Sequence, residues 1–457
     1  MTEKMKHVDV VIIGAGLTGL TTAYYLKKAG ISFILIDQKD RVGGVIETLE
    51  ENSFIIESGP NTGVLSHPDV AELFEELEDS CEIENAQKNV NKRLIWKGDR
   101  WHALPSSLIG GIKTPLFSFG DKISILAEPF RKKGTDPNEN LAHLVKRRMG
   151  QSFLDYAVDP FILGIYAGDP EYLIPRFALP KLYNLEQKYG SFIGGAIKKG
   201  KEKKDERSQK ATRKIFSVKG GLSNLIKSLE NKIGSENIVL GCKNISVDLN
   251  EQFTVQSAES NITISAKKVI TTVGSYQLPK MLNFLSGQEK EIVDNLSYAK
   301  VAQLSIGFKK WEGINIDAFG GLVPSVEKKN ILGVLFISSF LTNRAPEEGA
   351  LLSVFVGGYR NPKIVDLSDE KLIELIEPDL KQMLGLKVFN PDLLKIFRYE
   401  YAIPQYGINT GERLSMIEKL EEKFPNLTIA GNLRDGIGMA DRIKQGKDIA
   451  DSILRNR

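Results

Sequence analysis

The chain has 457 residues, 42% of them apolar and 26% charged, enough for two or three domains with cores of their own. A net charge of +3 is too small to single out nucleic acid as a partner, and no apolar run approaches the ~20 residues that cross a bilayer. Two cysteines with no CxxC pair and four scattered histidines exclude a disulfide framework and a zinc site. They suit a reducing compartment, and the charged start leads straight into a strand with no room for a leader, so a cytoplasmic protein is expected.

Residues 8–13 are an apolar run of the length of one buried parallel strand. Gly14, Gly16 and Gly19 follow at the GxGxxG spacing, with Ala15, Leu17 and Thr18 between them. Gly14 permits a tight turn, Gly16 lets a pyrophosphate reach the backbone, and Gly19 lets the helix over 17–29 pack on its strand. The helix start aims free N–H groups and a partial positive charge at the phosphates. A second strand, 32–36, delivers Asp37 and Gln38; the Asp37 carboxylate can accept hydrogen bonds from a ribose. Strand, glycine turn, helix and acid together predict a dinucleotide site; the bland alternative is a doubly wound domain with an empty crevice.

Arg41, Gly43, Gly44 and Val45 come next. The pattern Asp37-x3-Arg41-x-Gly43-Gly44 resembles the fingerprint of flavoproteins of the amine oxidase and protoporphyrinogen oxidase superfamily, in which the arginine neutralises the pyrophosphate. A hairpin-like segment, 45–56, leads to Gly59, Pro60, Asn61 and Thr62, a rigid turn. In the resembled superfamily such a turn packs against the flavin ring; a plain β-turn explains it as well.

Residues 68–77 read as a helix and 91–105 as a hairpin turning at Lys97-Gly98-Asp99. The Gly- and Phe-rich stretch 105–125 reads as irregular structure that could face a membrane. Helices are expected over 120–130, 140–149 and 179–197, the last broken by two glycines. The run 198–214 is charge-rich: a solvated mobile loop, or a contact for anionic lipid or an acidic partner. Strands follow at 237–240, 245–249, 252–257, 262–265 and 268–273. Residues 301–355 are strand-rich, 369–384 amphipathic and helical, and 395–406 a further strand. At the C-terminus a strand, 427–430, precedes Gly436, Ile437, Gly438 and Met439 and a helix over 440–454.

The blocks NKRLIWKGDRWHALP, DPFILGIYAGDP, LPKLYNLEQKYGSFIGG, AIPQY and GIGMADRIKQGKDIA stand in the order of the bacterial oxygen-dependent protoporphyrinogen oxidase family, which the whole chain resembles. The resemblance implies an α/β fold: a discontinuous Rossmann-type FAD-binding domain (1–75, 212–295 and 395–457), a mostly helical substrate and membrane-associated region (90–211), and a β-rich substrate domain (296–394). It implies FAD as cofactor, with Ile245 or Asn244 at the adenine, and a porphyrinogen substrate beside the flavin. Leu322 and Leu335 would lie on one face of the macrocycle and Phe355 on the other. Arg93 would pair with a propionate, and the Gly168 backbone would face the pyrrole N–H groups. Without the resemblance, these leucines and the phenylalanine read as core residues, Arg93 as a surface charge and Gly168 as a turn glycine.

The implied reaction converts protoporphyrinogen IX to protoporphyrin IX with O2 as acceptor, giving H2O2. The flavin carries the redox chemistry, and no side chain is assigned a catalytic role. Ferrochelatase, the inner face of the cell membrane and a second copy of the chain are the implied partners. Coproporphyrinogen III oxidation, an amine oxidase or desaturase activity, and a non-enzymatic lipid-surface role stay open. Three departures stand out: Asp37 in place of the usual Glu, the usual Val of the adenine segment replaced by polar Asn244 or displaced to Ile245, and no cysteine after Asp441.

Overall fold

Two seven-stranded sheets organise the computed structural model, which describes residues 6–87, 91–105, 108–203 and 205–455. The first runs Ile238–Val239, Phe33–Ile36, Lys6–Ile13, Ile262–Thr271, Phe253–Ser257, Ile245–Leu249, and Leu427–Ile429 joins it beside Ile262–Thr271. Lys6–Ile13 has parallel neighbours on both sides, and its C-terminal half is fully buried, as a strand covered on both faces must be. The helix Leu17–Lys28 is buried over ten consecutive residues, Leu17–Leu26, because it lies between this sheet and the helix Met439–Arg455. Thr22 donates to the Gly446 carbonyl at 3.1 Å, and a Cβ on Gly446 would lie 2.6 Å from the Thr18 carbonyl oxygen. The two ends of the chain thus meet at backbone distance.

The second sheet runs Leu393–Pro404, Tyr298–Phe308, Ala350–Gly357, Ile331–Leu335, Gly320–Leu322, Arg93–Lys97, Arg100–Ala103. One face packs on the helix Asp369–Leu384, with Leu304, Val334 and Val354 against Leu372, Ile376 and Leu380. The hairpin at its edge turns through Gly98 and Asp99, both at positive φ, the geometry a two-residue turn between twisted strands needs.

The remaining helices include Phe119–Ala127, Leu141–Met149, Asp159–Tyr166, Pro180–Tyr189 and Phe192–Gly200. A buried ion network fastens all of these but Asp159–Tyr166. Arg148 pairs with Glu128 and, at 2.8 Å, with Glu186; Glu128 also accepts from Ser191 Oγ at 2.6 Å and Phe192 N at 2.8 Å. Arg148 and Glu128 are fully buried, so each needs the other.

The structure corrects several expectations. The strands drawn at 262–265 and 268–273 are one, Ile262–Thr271: Lys267 and Lys268 look like a break, but Lys267 pairs outward with Asp9 at 2.8 Å. Gly190 alone breaks the helix over 179–197, at φ +77, while Gly194 and Gly195 sit inside Phe192–Gly200. The charge-rich run is not a free loop among its described residues. It starts as helix, and Arg207 holds Asp69 and Glu72 at 2.6 and 2.8 Å while Lys210 holds Glu75 at 2.6 Å. Two boundaries also move: the hairpin Arg93–Ala103 leaves the helical region for the second sheet, and Leu393–Pro404 belongs to that sheet rather than to the nucleotide domain.

Candidate active site

The turn after Lys6–Ile13 places its three glycines differently. Gly14 sits at φ +109 with the Thr272 hydroxyl donating to its carbonyl at 3.0 Å. A Cβ on Gly19 would lie 1.9 Å from the Gly14 carbonyl oxygen, so only glycine lets the helix lie on the turn. A Cβ on Gly16 would meet nothing within 4 Å. Gly16 is also the N-cap of the helix, and no side chain caps it. The first N–H groups of that helix are therefore left for a ligand, and the open space beside Gly16 admits one.

Asp37 stands at the tip of Phe33–Ile36 and accepts from Ala15 N at 2.6 Å and Lys39 N at 2.8 Å. The loop 39–46 folds back against the glycine turn: Gly43 N donates to the Ala15 carbonyl at 2.8 Å, and Gly44, at φ +63, lies against Gly16. Arg41 braces this loop, donating to the carbonyls of Val42, Gly44 and Ile46 at 3.0–3.2 Å and to Glu47 at 3.2 Å. Val45 and Gln38 are exposed. A Cβ on Gly59 would lie 2.1 Å from the Val45 carbonyl oxygen, so the turn 59–62 packs directly on this loop. The chain alongside Asp37 is 239–242, with Cys242 N donating to the Asp37 carbonyl at 2.8 Å. Ile245 lies beyond it, opening the edge strand paired with Phe253–Ser257.

Ile437, Gly438 and Met439 lead into the helix Met439–Arg455, which packs on Leu17–Lys28. Gln445 joins this helix to the first one and to the loop before it: its Oε1 accepts from Thr18 Oγ1 at 3.4 Å and Gly431 N at 2.9 Å, and its Nε2 donates to Asp435 at 2.8 Å. His67, just past the 59–62 turn, bonds Asp441 at 3.1 Å. These segments suit a dinucleotide on the structure's own terms: an uncapped helix start, space where a Cβ would stand, and loops held at backbone distance around it.

The second sheet brings the substrate candidates together. Phe355 pairs with Gly333, which pairs with Leu322; two residues away Leu335 pairs with Gly320, which pairs with Arg93. Side chains in alternate rows share a face, so Arg93, Leu322, Leu335 and Phe355 project from one side of the sheet. Leu322, Leu335 and Phe355 are half-buried, whereas Val334 and Val354, pointing the other way, are buried. Gln303 and Ser353 share that side and fasten it to the nucleotide domain: Gln303 donates to the Glu57 carbonyl at 2.8 Å and Ser353 to Asn61 Oδ1 at 3.1 Å. Tyr399 donates to the Ser58 carbonyl. Arg93 is exposed over the Phe319 ring at 5.8 Å. Gly164 lets the helix Asp159–Tyr166 lie on this face; a Cβ there would stand 2.7 Å from Leu322. Gly168 is buried just after that helix, where a Cβ would meet Gln405 Oε1 at 2.4 Å.

Sequence reasoning missed Gln303, Ser353, Tyr399, Thr272 and Gln445. Gln303 and Ser353 did leave a signal, as single polar residues inside apolar strand runs. Glu57 was also passed over. It is buried where the two sheets meet, accepting from Leu222 N and Thr48 Oγ1, each at 2.8 Å, and burial pushes its carboxyl up to about 7.

Known proteins share this design. A family model described as flavin containing amine oxidoreductase matches residues 17–454. The chain is 30% identical to the mitochondrial protoporphyrinogen oxidase of Nicotiana tabacum, over 97% of this chain and 94% of that one. It is 26% identical to the coproporphyrinogen III oxidase of Bacillus subtilis, over 99% of each. A solved Exiguobacterium sp. 255-15 structure, provisionally described as a protoporphyrinogen oxidase, matches with a TM-score of 0.82 at 22% identity, over 99% of this chain and 100% of that one. With its nucleotide fold, its glycine cradle and these relatives, the chain is an FAD-dependent oxidoreductase and belongs to the flavin-containing amine oxidoreductase family.

Proposed function

We propose that the chain oxidises protoporphyrinogen IX to protoporphyrin IX, with O2 as acceptor and H2O2 as by-product. The observation that carries this reading is the shared face of Arg93, Leu322, Leu335 and Phe355, fastened through Gln303 and Ser353 to the turn 57–61. A flat, half-buried apolar surface with a cation at its rim suits a macrocycle with carboxylate arms. FAD, when bound, takes up the two electrons and the hydrogen released in each of three oxidations and passes them to O2. Arg93 anchors a propionate at the rim, the leucines and Phe355 orient the ring, and the sheet excludes water from one side of it. The pyrrole nitrogens of the substrate push the hydrogen out and lose a proton, so orientation rather than a strong base is asked of the protein; orientation alone is worth up to roughly 7–11 kcal/mol.

Coproporphyrinogen III is the second reading. Lys92, Arg93 and Arg100 lie on the edge hairpin, exposed and without an ion-pair partner among the described residues, and extra propionates would suit them. Porphyrin fluorescence with each porphyrinogen, at equal enzyme and with O2 uptake recorded, decides. A faster coproporphyrinogen reaction selects the second reading, and no FAD-dependent signal from either ends both.

We also infer a peripheral seat on an anionic membrane. No helix among the described residues is long and apolar enough to cross one. The helix Phe119–Ala127, however, has no buried residue, and Phe119, Ile123, Leu126 and, just beyond it, Phe130 are 80%, 53%, 55% and 90% exposed. Lys122, Arg131, Lys132 and Lys133 flank that stripe in sequence. An apolar stripe beside cations suits insertion among anionic headgroups.

A further inference from the structure

Arg442 occupies the position after Asp441, in the first turn of Met439–Arg455, and is only 8% exposed. Its guanidinium donates to Gln445 Oε1 at 2.7 Å and to the carbonyls of Arg434 and Gly436 at 2.9 and 3.0 Å. The Tyr406 hydroxyl donates to the Asn432 and Gly436 carbonyls at 2.7 and 3.0 Å. Carbonyls of the loop 432–436 are thus gathered onto one cation and one phenol. The Arg442 Nε has no partner, and among the described residues Arg442 makes no ion pair. The nearby acids are engaged elsewhere: Asp441 with His67 and Gly438 N, and Asp435 with Arg434 and Gln445.

The groups that accept from the buried guanidinium are neutral, the carboxylates of Asp441 and Asp435 close by offset part of its charge, and the start of the helix adds to the positive field. The loop beneath which it lies sits at the seam of the two sheets. Tyr406 continues from Leu393–Pro404 of the second sheet, and His67 follows the turn 59–62. The redox-active ring must lie at that seam if it is to reach a substrate on the second sheet.

We propose that Arg442 is a positioning residue that sets the reduction potential of the bound flavin, by shaping the loop 436–439 and by its own charge. Uptake of two electrons and one proton leaves the reduced ring with one negative charge, and Arg442 favours that form over the neutral oxidised one. The proposal rests on FAD binding at this site and not on which porphyrinogen is oxidised.

The test is a dye-coupled reductive titration of the FAD-loaded protein without substrate. Arg442→Gln is expected to lose about tenfold in preference for reduced over oxidised FAD, a fall of about 30 mV for a two-electron couple. Arg442→Lys restores most of it, and Asp441→Asn, which removes a nearby negative charge, raises the potential. Thermal denaturation and FAD occupancy are read on the same samples. An Arg442→Gln protein that holds FAD at the wild-type potential overturns the proposal. If that variant holds no FAD, an Asp441→Asn potential equal to or below wild type overturns it instead. A wild-type protein that binds no FAD is a separate failure, of the cofactor assignment.

Discussion

Gly16→Val separates cofactor binding from folding. Gly16 has φ −77 and ψ −178, an extended conformation open to valine, and a Cβ there meets nothing within 4 Å. The apo protein should therefore keep its stability to within about 0.5 kcal/mol, as for a substitution that touches nothing. The new side chain stands in the space before the uncapped helix start, where the pyrophosphate would lie. Losing two hydrogen bonds to a charged group, at roughly 1.5–3 kcal/mol each, weakens FAD by about 10²- to 10⁴-fold. Gly19→Ala makes the contrast: its Cβ would lie 1.9 Å from the Gly14 carbonyl oxygen, so that variant loses stability before it loses cofactor. The assay is FAD titration of the apo proteins by fluorescence quenching, with urea denaturation alongside. A yellow, stoichiometrically loaded Gly16→Val protein would refute the placement of the phosphates.

Arg93→Ala should raise KM about fivefold with kcat nearly unchanged, since an exposed pair worth about 1 kcal/mol anchors ground and transition states alike; steady-state rates with protoporphyrinogen show it, and unchanged kinetics remove Arg93 from the site. Phe130→Asp should weaken binding to anionic vesicles at least tenfold, from about 1.5 kcal/mol or more of lost burial; equal co-sedimentation of variant and wild type contradicts the membrane seat. Glu57 makes folding pH-dependent: its carboxyl rises from 4.5 to about 7 on burial, so its contribution is full below 4.5 and is lost as pH rises through 7. Against wild type, Glu57→Gln should therefore be relatively more stable at pH 8 than at pH 5, and urea denaturation showing the same difference at both pH values rules this out.

The cofactor half of the site was legible because its chemistry is local. Gly14 at its positive-φ turn and Gly19 against the Gly14 carbonyl act within a few residues, as their spacing implies, and Gly16 leaves open space beside them. Arg41, which the fingerprint marks for a pyrophosphate, also braces the carbonyls of its own loop, a contact the fingerprint does not announce. Gln445 left no signal, since on a helix of mixed polarity nothing local separates it from solvated neighbours such as Lys444 and Asp448.

Strand and helix periodicity, the glycine turn and the acid that follows it are written in neighbouring residues, and from them the chain itself determined a nucleotide fold and a cofactor. Register across the second sheet is not written that way. Whether Leu322, Leu335 and Phe355 face a substrate or the helix Asp369–Leu384 depends on which residues of distant strands pair, and a slip of one would turn each to the other side. That pairing sets Arg93 beside Gly320 across more than two hundred residues of intervening chain, and only the packed tertiary structure could decide it.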